Sequence, residues 1–165
     1  MSTVLYFAYG SNLLPEQMLE RCPGSRLRFA ATLAGYHLAF RGESSRWGRG
    51  GTATLVPRAN GRAPGMVYAL EPSDVTALNG FESHPSVYRD IAVTVQDREG
   101  REHPVYTYLK NGEGQINPPS MKYFHQIWHS YKRFGLDESH LMAAVQETLA
   151  LPEAAWTLLE PAPAN

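Results

Sequence analysis

A single cysteine, Cys22, excludes a disulfide framework and a thiolate-rich zinc site. Neither sign of charge dominates. With 15 basic against 16 acidic residues the formal net charge is -1, which gives no electrostatic reason to expect nucleic acid or an anionic membrane as partner. No apolar run approaches the length of a membrane span, and the first residues lack the basic and apolar regions of a secretion signal. No repeat or linker divides the chain, and no Gly-x-Ser-x-Gly elbow supplies a serine nucleophile. What remains is a chain of 165 residues, 43% hydrophobic and 11% aromatic, long enough for one domain with its own core. The expectation is one cytoplasmic domain over residues 1–160, with 161–165 as a frayed tail.

The order of elements follows from local signals. Residues 3–8, rich in aromatic and β-branched side chains, read as a buried strand ending at Tyr9-Gly10-Ser11-Asn12. Gly10 admits positive φ and close approach of a ligand, and Ser11 and Asn12 suit the cap of a helix over 15–21. A strand turning into a helix through glycine aims backbone N–H groups at one point, a nest for a carboxylate or oxyanion. The same stretch also fits an ordinary strand-to-helix connection.

Leu27 to Phe40 reads as one long or two short strands broken near Gly35, followed by a glycine-rich polar loop over 41–51. Strands are expected at Thr52–Val56 and Gly65–Leu70, with a turn at Asn60-Gly61 between them. Pro72 opens a helix that runs to about Phe81-Glu82, and Ile91–Gln96 with Val105–Leu109 form a hairpin around Arg98-Glu99-Gly100. Ser120 caps a helix over Met121–Phe134, whose Phe124, Ile127, Trp128 and Tyr131 share one face; Gly135 ends it and Asp137 caps another, through about Leu149. This order makes an α+β fold, in which about six short strands can close into a small barrel.

Several residues carry candidate chemistry. Glu82, where a helix meets a polar loop, is either solvated or desolvated by Phe81 and Tyr88 and so raised in pKa. His125 and His129 are one helical turn apart, but Gln126 stands where a zinc protease has its glutamate and no third ligand is evident, so no metal is expected. Arg46-Trp47-Gly48-Arg49 reads as part of a lid over a cavity rather than a single-strand platform, given the balanced charge. Tyr123 fits a plain packing role.

Taken together, Tyr6-Phe-Ala-Tyr-Gly-Ser-Asn-Leu13, Gly50-Gly51-Thr-Ala-Thr54, Leu78 to Glu82 with Tyr88 after it, and Pro118-Pro119-Ser120-x-x-Tyr123 resemble the γ-glutamylcyclotransferases. The resemblance spans nearly the whole domain. It implies a mixed barrel with peripheral helices and a cavity at the barrel edge. It also implies a small γ-glutamyl substrate bound by Tyr6, Phe7, Ala8, Tyr9, Gly10, Ser11, Asn12, Tyr88 and Tyr123, with Glu82 as acid/base, no cofactor, and a homodimer among the admissible assemblies. The activity implied is lactam closure: the substrate's α-amine attacks its own γ-amide, releasing 5-oxoproline. A glycine often follows the family's glutamate, where this chain has Ser83, so Ser83-His84-Pro85 is expected to shape a different leaving-group pocket. Two other readings fit the same residues: a γ-glutamylamine or biosynthetic-intermediate cyclotransferase, and a non-catalytic small-molecule-binding module.

Overall fold

The computed structural model describes residues 3–112 and 114–149; the frayed tail expected at 161–165 lies outside them. The sheet is a closed barrel of five strands in the order β1-β3-β2-β4-β5. The strands are β1 (Val4–Ala8), β2 (Arg26–Arg41), β3 (Thr52–Leu70), β4 (Tyr88–Asp97) and β5 (Glu102–Lys110). β1 closes the barrel by lying antiparallel to β3, from Val4↔Leu70 to Ala8↔Met66, and parallel to β5 at Tyr6↔Tyr106. The other pairings are antiparallel, so the barrel is mixed, as expected, because of this one parallel seam.

The strand count is five rather than about six because Thr52–Val56 and Gly65–Leu70 belong to one strand. β2 and β3 pair along almost their whole length, from Arg26↔Ala69 to Ala34↔Arg62 and again from Tyr36↔Pro57 to Arg41↔Thr52. Between those stretches Gly35 (φ 85°) faces the longer detour through Asn60 (φ 62°) and Gly61. The turn expected at Asn60-Gly61 is therefore a bulge that bends a continuous ribbon and does not end a strand. Gly61 has no room for a side chain: a Cβ would sit 2.7 Å from the Tyr36 carbonyl oxygen.

Phe7, Val67, Tyr68, Leu70 and Val95 are wholly buried in the barrel core. Among the described residues, four α-helices surround it: α1 (Pro15–Arg21), α2 (Pro72–Phe81), α3 (Met121–Phe134) and α4 (Glu138–Thr148). Ser11 and Asn12 do not cap α1, whose N-cap is Leu14 followed by Pro15. They form a separate 3₁₀ turn over Ser11–Leu13, closed by Leu13 N–H on the Gly10 carbonyl at 3.0 Å, which frees both side chains for other partners.

The buried side of α3 is rotated from the expected stripe. Ile127 and Tyr131 are fully buried, but Tyr123 joins them, while Phe124 and Trp128 are half-exposed and stack on each other with centroids 6.0 Å apart. Ser120 Oγ accepts the Tyr123 N–H at 3.3 Å, and Gly135 (φ 63°) ends the helix in the left-handed conformation. Ser120→Ala is expected to lower stability by about 1 kcal/mol, read as a shift in the urea midpoint with unchanged slope.

Candidate active site

The barrel topology gathers strand ends at one rim. β1 and β5 run parallel and finish there, whereas β3 and β4, antiparallel to them, begin there. Helix α2 carries the chain back along the barrel from the end of β3 to the start of β4, and its last turn delivers Glu82, whose N–H bonds the Leu78 carbonyl at 2.9 Å. Between these ends lies a cavity of about 310 Å³. Of the residues expected at a site, Tyr6, Tyr9, Gly10, Ser11, Asn12, Glu82, Tyr88 and Tyr123 line it. Phe7 and Ala8 do not: Phe7 points to the other face of β1, into the core, and the Ala8 backbone packs against Gly65.

Asn12 is the hub. It is buried, and its Nδ2 donates to Glu82 Oε1 and to the Tyr6 hydroxyl, both at 3.1 Å. Its Oδ1 accepts from Gln17 Nε2 at 3.0 Å and Arg21 Nη1 at 3.1 Å. Two donors on the oxygen fix which end of the amide faces the carboxylate. Gln17 also donates to Ser11 Oγ at 3.0 Å, while Gln126 of α3 donates to the Ser11 carbonyl at 3.0 Å and to Gln17 Oε1 at 2.8 Å. The position occupied by glutamate in zinc proteases thus ties α3 to the turn. Among the described residues, no group of three His, Cys, Asp or Glu side chains converges as a metal site.

Burial pushes the Glu82 carboxyl above its usual range, against the opposing pull of Arg21, Arg46 and the Asn12 hydrogen bond. The surrounding phenols are held neutral for the same reason. Burial raises Tyr6, Tyr9, Tyr88 and Tyr123, and pushes Tyr108 up to about 12. Cys22 is buried and pushed up to about 11, so it is no thiolate nucleophile. Among these groups, Glu82 is the carboxyl that burial moves up from the ordinary glutamate range, while the phenols and the thiol are moved further from ionisation.

The tyrosines act as struts. Tyr123 OH accepts the Ala53 N–H at 2.9 Å, Tyr88 OH donates to the Ala53 carbonyl at 3.0 Å, and Tyr9 OH donates to the Tyr108 carbonyl. Gly10 has φ -118° and so does not use the positive φ that glycine admits; its lack of a side chain serves space. A Cβ there would stand 3.1 Å from Ala53 Cβ and 3.3 Å from the Tyr123 hydroxyl.

The 41–51 loop covers the mouth with Glu43 to Trp47, and the Trp47 ring packs on Tyr123 with centroids 4.8 Å apart. Of Ser83-His84-Pro85 only Ser83 reaches the cavity; His84 turns away to Asp90 at 2.7 Å. Arg21, Arg46, Thr52, Tyr108 and Lys110 also line the cavity but were not singled out as site residues from sequence. They are scattered over α1, the 41–51 loop, β3 and β5, and only the lid segment around Arg46, the Gly50–Thr54 piece and the alternation of Tyr106, Tyr108 and Lys110 in β5 carry a local signal.

The family model described as gamma-glutamyl cyclotransferase, AIG2-like, matches residues 6–129, more than half of the chain and the whole of this rim. The chain belongs to that family. Mouse gamma-glutamylcyclotransferase is 34% identical over 142 residues, covering 84% of this chain and 75% of the mouse protein. The human gamma-glutamylcyclotransferase is 34% identical over 136 residues, covering 80% and 72%. A solved gamma-glutamyl cyclotransferase superposes with a TM-score of 0.77 at 29% identity, covering 92% of this chain and 89% of that one. A glutathione-specific yeast member shares the fold at 16% identity, with a TM-score of 0.68 over 91% and 96% of the chains.

Proposed function

We propose that this family member is a γ-glutamylcyclotransferase whose cavity folds a γ-glutamyl substrate onto itself, with Glu82 as the acid/base. The observation that carries the reading is the half-buried Glu82 carboxyl, raised in pKa, held by Asn12 and lining the same cavity as the turn Tyr9-Gly10-Ser11. An α-ammonium is not nucleophilic, so a base must take its proton before the nitrogen attacks the γ-carbonyl carbon. As the new N–C bond forms, the carbonyl electrons move to oxygen, where backbone N–H groups of the Gly10-Ser11 turn stabilise the oxyanion. The intermediate collapses with cleavage of the old amide C–N bond as Glu82 returns its proton to the departing nitrogen. The second proton, lost from the ring nitrogen as it becomes the lactam N–H, ends on the released amine, which leaves as an ammonium. The products are 5-oxoproline and an amino acid or amine.

Positioning supplies a large share of the acceleration, because amine and carbonyl belong to one flexible chain; well-oriented systems gain about 7–11 kcal/mol in this way. The buried tyrosines and the α1–α3 hydrogen bonds through Gln17 and Gln126 hold the turn for that task. No metal or redox group is needed for a proton-transfer and acyl-transfer sequence. The reading treats residues 1–160 as one domain of a cytoplasmic enzyme. The test is 5-oxoproline release from a panel of γ-glutamyl amino acids, γ-glutamylamines and intact glutathione; no 5-oxoproline from any of them refutes it.

Trp47 bears on selectivity. It is half-buried against Tyr123 and covers the cavity, where an isolated loop tryptophan would face solvent. Trp47→Ala is expected to weaken bulky apolar leaving groups by about tenfold in kcat/KM and small ones less, with 5-oxoproline still formed. Uniform kinetics across the panel would show that the ring does not meet the leaving group.

A further inference from the structure

Lys110 is a half-buried cation of the cavity that faces no carboxylate among the described residues. It ends β5, where its backbone N–H is held by Thr54 Oγ1 at 3.0 Å. Its ammonium donates to two neutral acceptors, the Arg41 carbonyl at 2.6 Å and Thr52 Oγ1 at 2.7 Å. An ammonium has three donors, so one remains for a ligand. Burial pushes the Lys110 ammonium down, which means that the fold holds this charge at a cost an incoming anion would relieve.

Of the other charges at the cavity, Arg21 and Glu43 have polar partners, and the exposed Arg46 lies on the Glu82 side, against Phe81. Arg21 donates to Asn12 and lies 4.9 Å over the Phe81 ring, and Arg46 stands 5.7 Å from the same ring; both act on Glu82. Glu43, the second carboxylate at the mouth, faces Arg49 at 3.4 Å. The space around Lys110 is kept open by Gly42, where a Cβ would come within 2.9 Å of Nζ. Tyr88 forms the adjoining wall, with its ring 5.8 Å from Nζ and its hydroxyl 2.9 Å from Thr52 Oγ1.

Resting on the cyclotransferase reading above, we propose that Lys110 binds the carboxylate of the departing amino acid and thereby selects γ-glutamyl amino acids over γ-glutamylamines. The glutamyl half occupies the side of the cavity built by Asn12, Glu82 and the Gly10-Ser11 turn. The leaving group then extends towards Thr52, Tyr88 and Lys110. A leaving group without a carboxylate places no charge beside that ammonium and forfeits a charge-assisted hydrogen bond. Lys110 touches the leaving group, not the reacting atoms, so its effect falls on KM.

The test compares γ-glutamylalanine with γ-glutamylethylamide, which differ only by the carboxylate. Wild type is expected to favour γ-glutamylalanine in kcat/KM by about 10–100-fold, the range set by a hydrogen bond to a charged group. In Lys110→Met and Lys110→Gln the preference should fall to about threefold or less, through a raised KM for γ-glutamylalanine. The wild-type preference should also shrink as salt rises, a measurement independent of whether either variant folds. Equal use of the two substrates by wild type, a preference indifferent to salt, or one that survives both substitutions overturns the assignment of Lys110 while 5-oxoproline still forms. Absence of 5-oxoproline from both substrates also overturns the assignment of Lys110, and only its absence across the whole panel, intact glutathione included, overturns the cyclotransferase reading itself.

Discussion

Glu82→Gln is expected to lose about 10²–10⁴-fold in kcat while folding normally and retaining substrate affinity. The amide keeps the size of the side chain and an oxygen to accept the Asn12 Nδ2 hydrogen bond, but it cannot carry a proton between two nitrogens. The same substitution is expected to raise stability at neutral pH. A carboxyl whose folded pKa lies above its unfolded value stabilises the fold fully below the unfolded pKa, near 4.5, and loses that contribution as pH rises through the folded value. Glutamine stays neutral throughout, so the stability gap between variant and wild type should open as pH rises from about 4.5. The acid limb of the wild-type pH–rate profile should lie above the ordinary glutamate range and vanish in the variant. Near-wild-type kcat in purified Glu82→Gln would refute the mechanism. A variant less stable than wild type at neutral pH would refute the account of a desolvated carboxyl.

Gly10→Val is the second large effect. Since φ at Gly10 is -118°, the penalty of a left-handed residue does not arise, and the cost argued here is the space the valine side chain takes. The Cβ alone reaches 3.1 Å from Ala53 Cβ and 3.3 Å from the Tyr123 hydroxyl, which is itself bonded to Ala53 N–H. The two γ-methyls push further into the cavity lining. Overpacking of this kind typically costs about 1–3 kcal/mol in stability. Displacing Tyr123 and the turn by a fraction of an ångström to an ångström is expected to cost about 10²-fold in kcat/KM. Activity should therefore fall far more than the fraction folded. Thermal melts and substrate titrations on the same preparation separate the two. Collapse of stability with normal binding by the remaining folded protein would make the turn a structural feature only.

Much of this molecule was readable along the chain where the signal is local. Helix α3 begins at Ser120 and ends at Gly135, and α2 begins at Pro72, because caps and left-handed glycines act within one turn of the helix. The hairpin of β4 and β5 was legible because Gly100, with φ 84°, and Asp97, which accepts the Glu99 and Arg101 N–H groups, make the turn by themselves. The pieces that resemble the family were also contiguous, from Tyr6 to Leu13 and around Glu82, and needed no geometry to be seen.

Tertiary structure decided what depends on distant partners. Asn60-Gly61 looks like a strand-ending turn in sequence, yet β2 supplies an unbroken pairing partner on both sides of Gly35, so it became a bulge inside β3. Tyr6 and Phe7 are adjacent in sequence but face opposite sides of β1, which sends one to the cavity and the other to the core. Asn12 meets Glu82 across 70 residues, and Lys110 meets Thr52 across 58, because the barrel brings the ends of β1 and β5 beside the starts of β3 and β4. Backbone hydrogen bonds, bulges and caps are short-range and leave their mark in adjacent residue types. The convergence of a carboxylate, an amide and an ammonium on one cavity is set by strand register and closure, to which no single stretch of sequence corresponds.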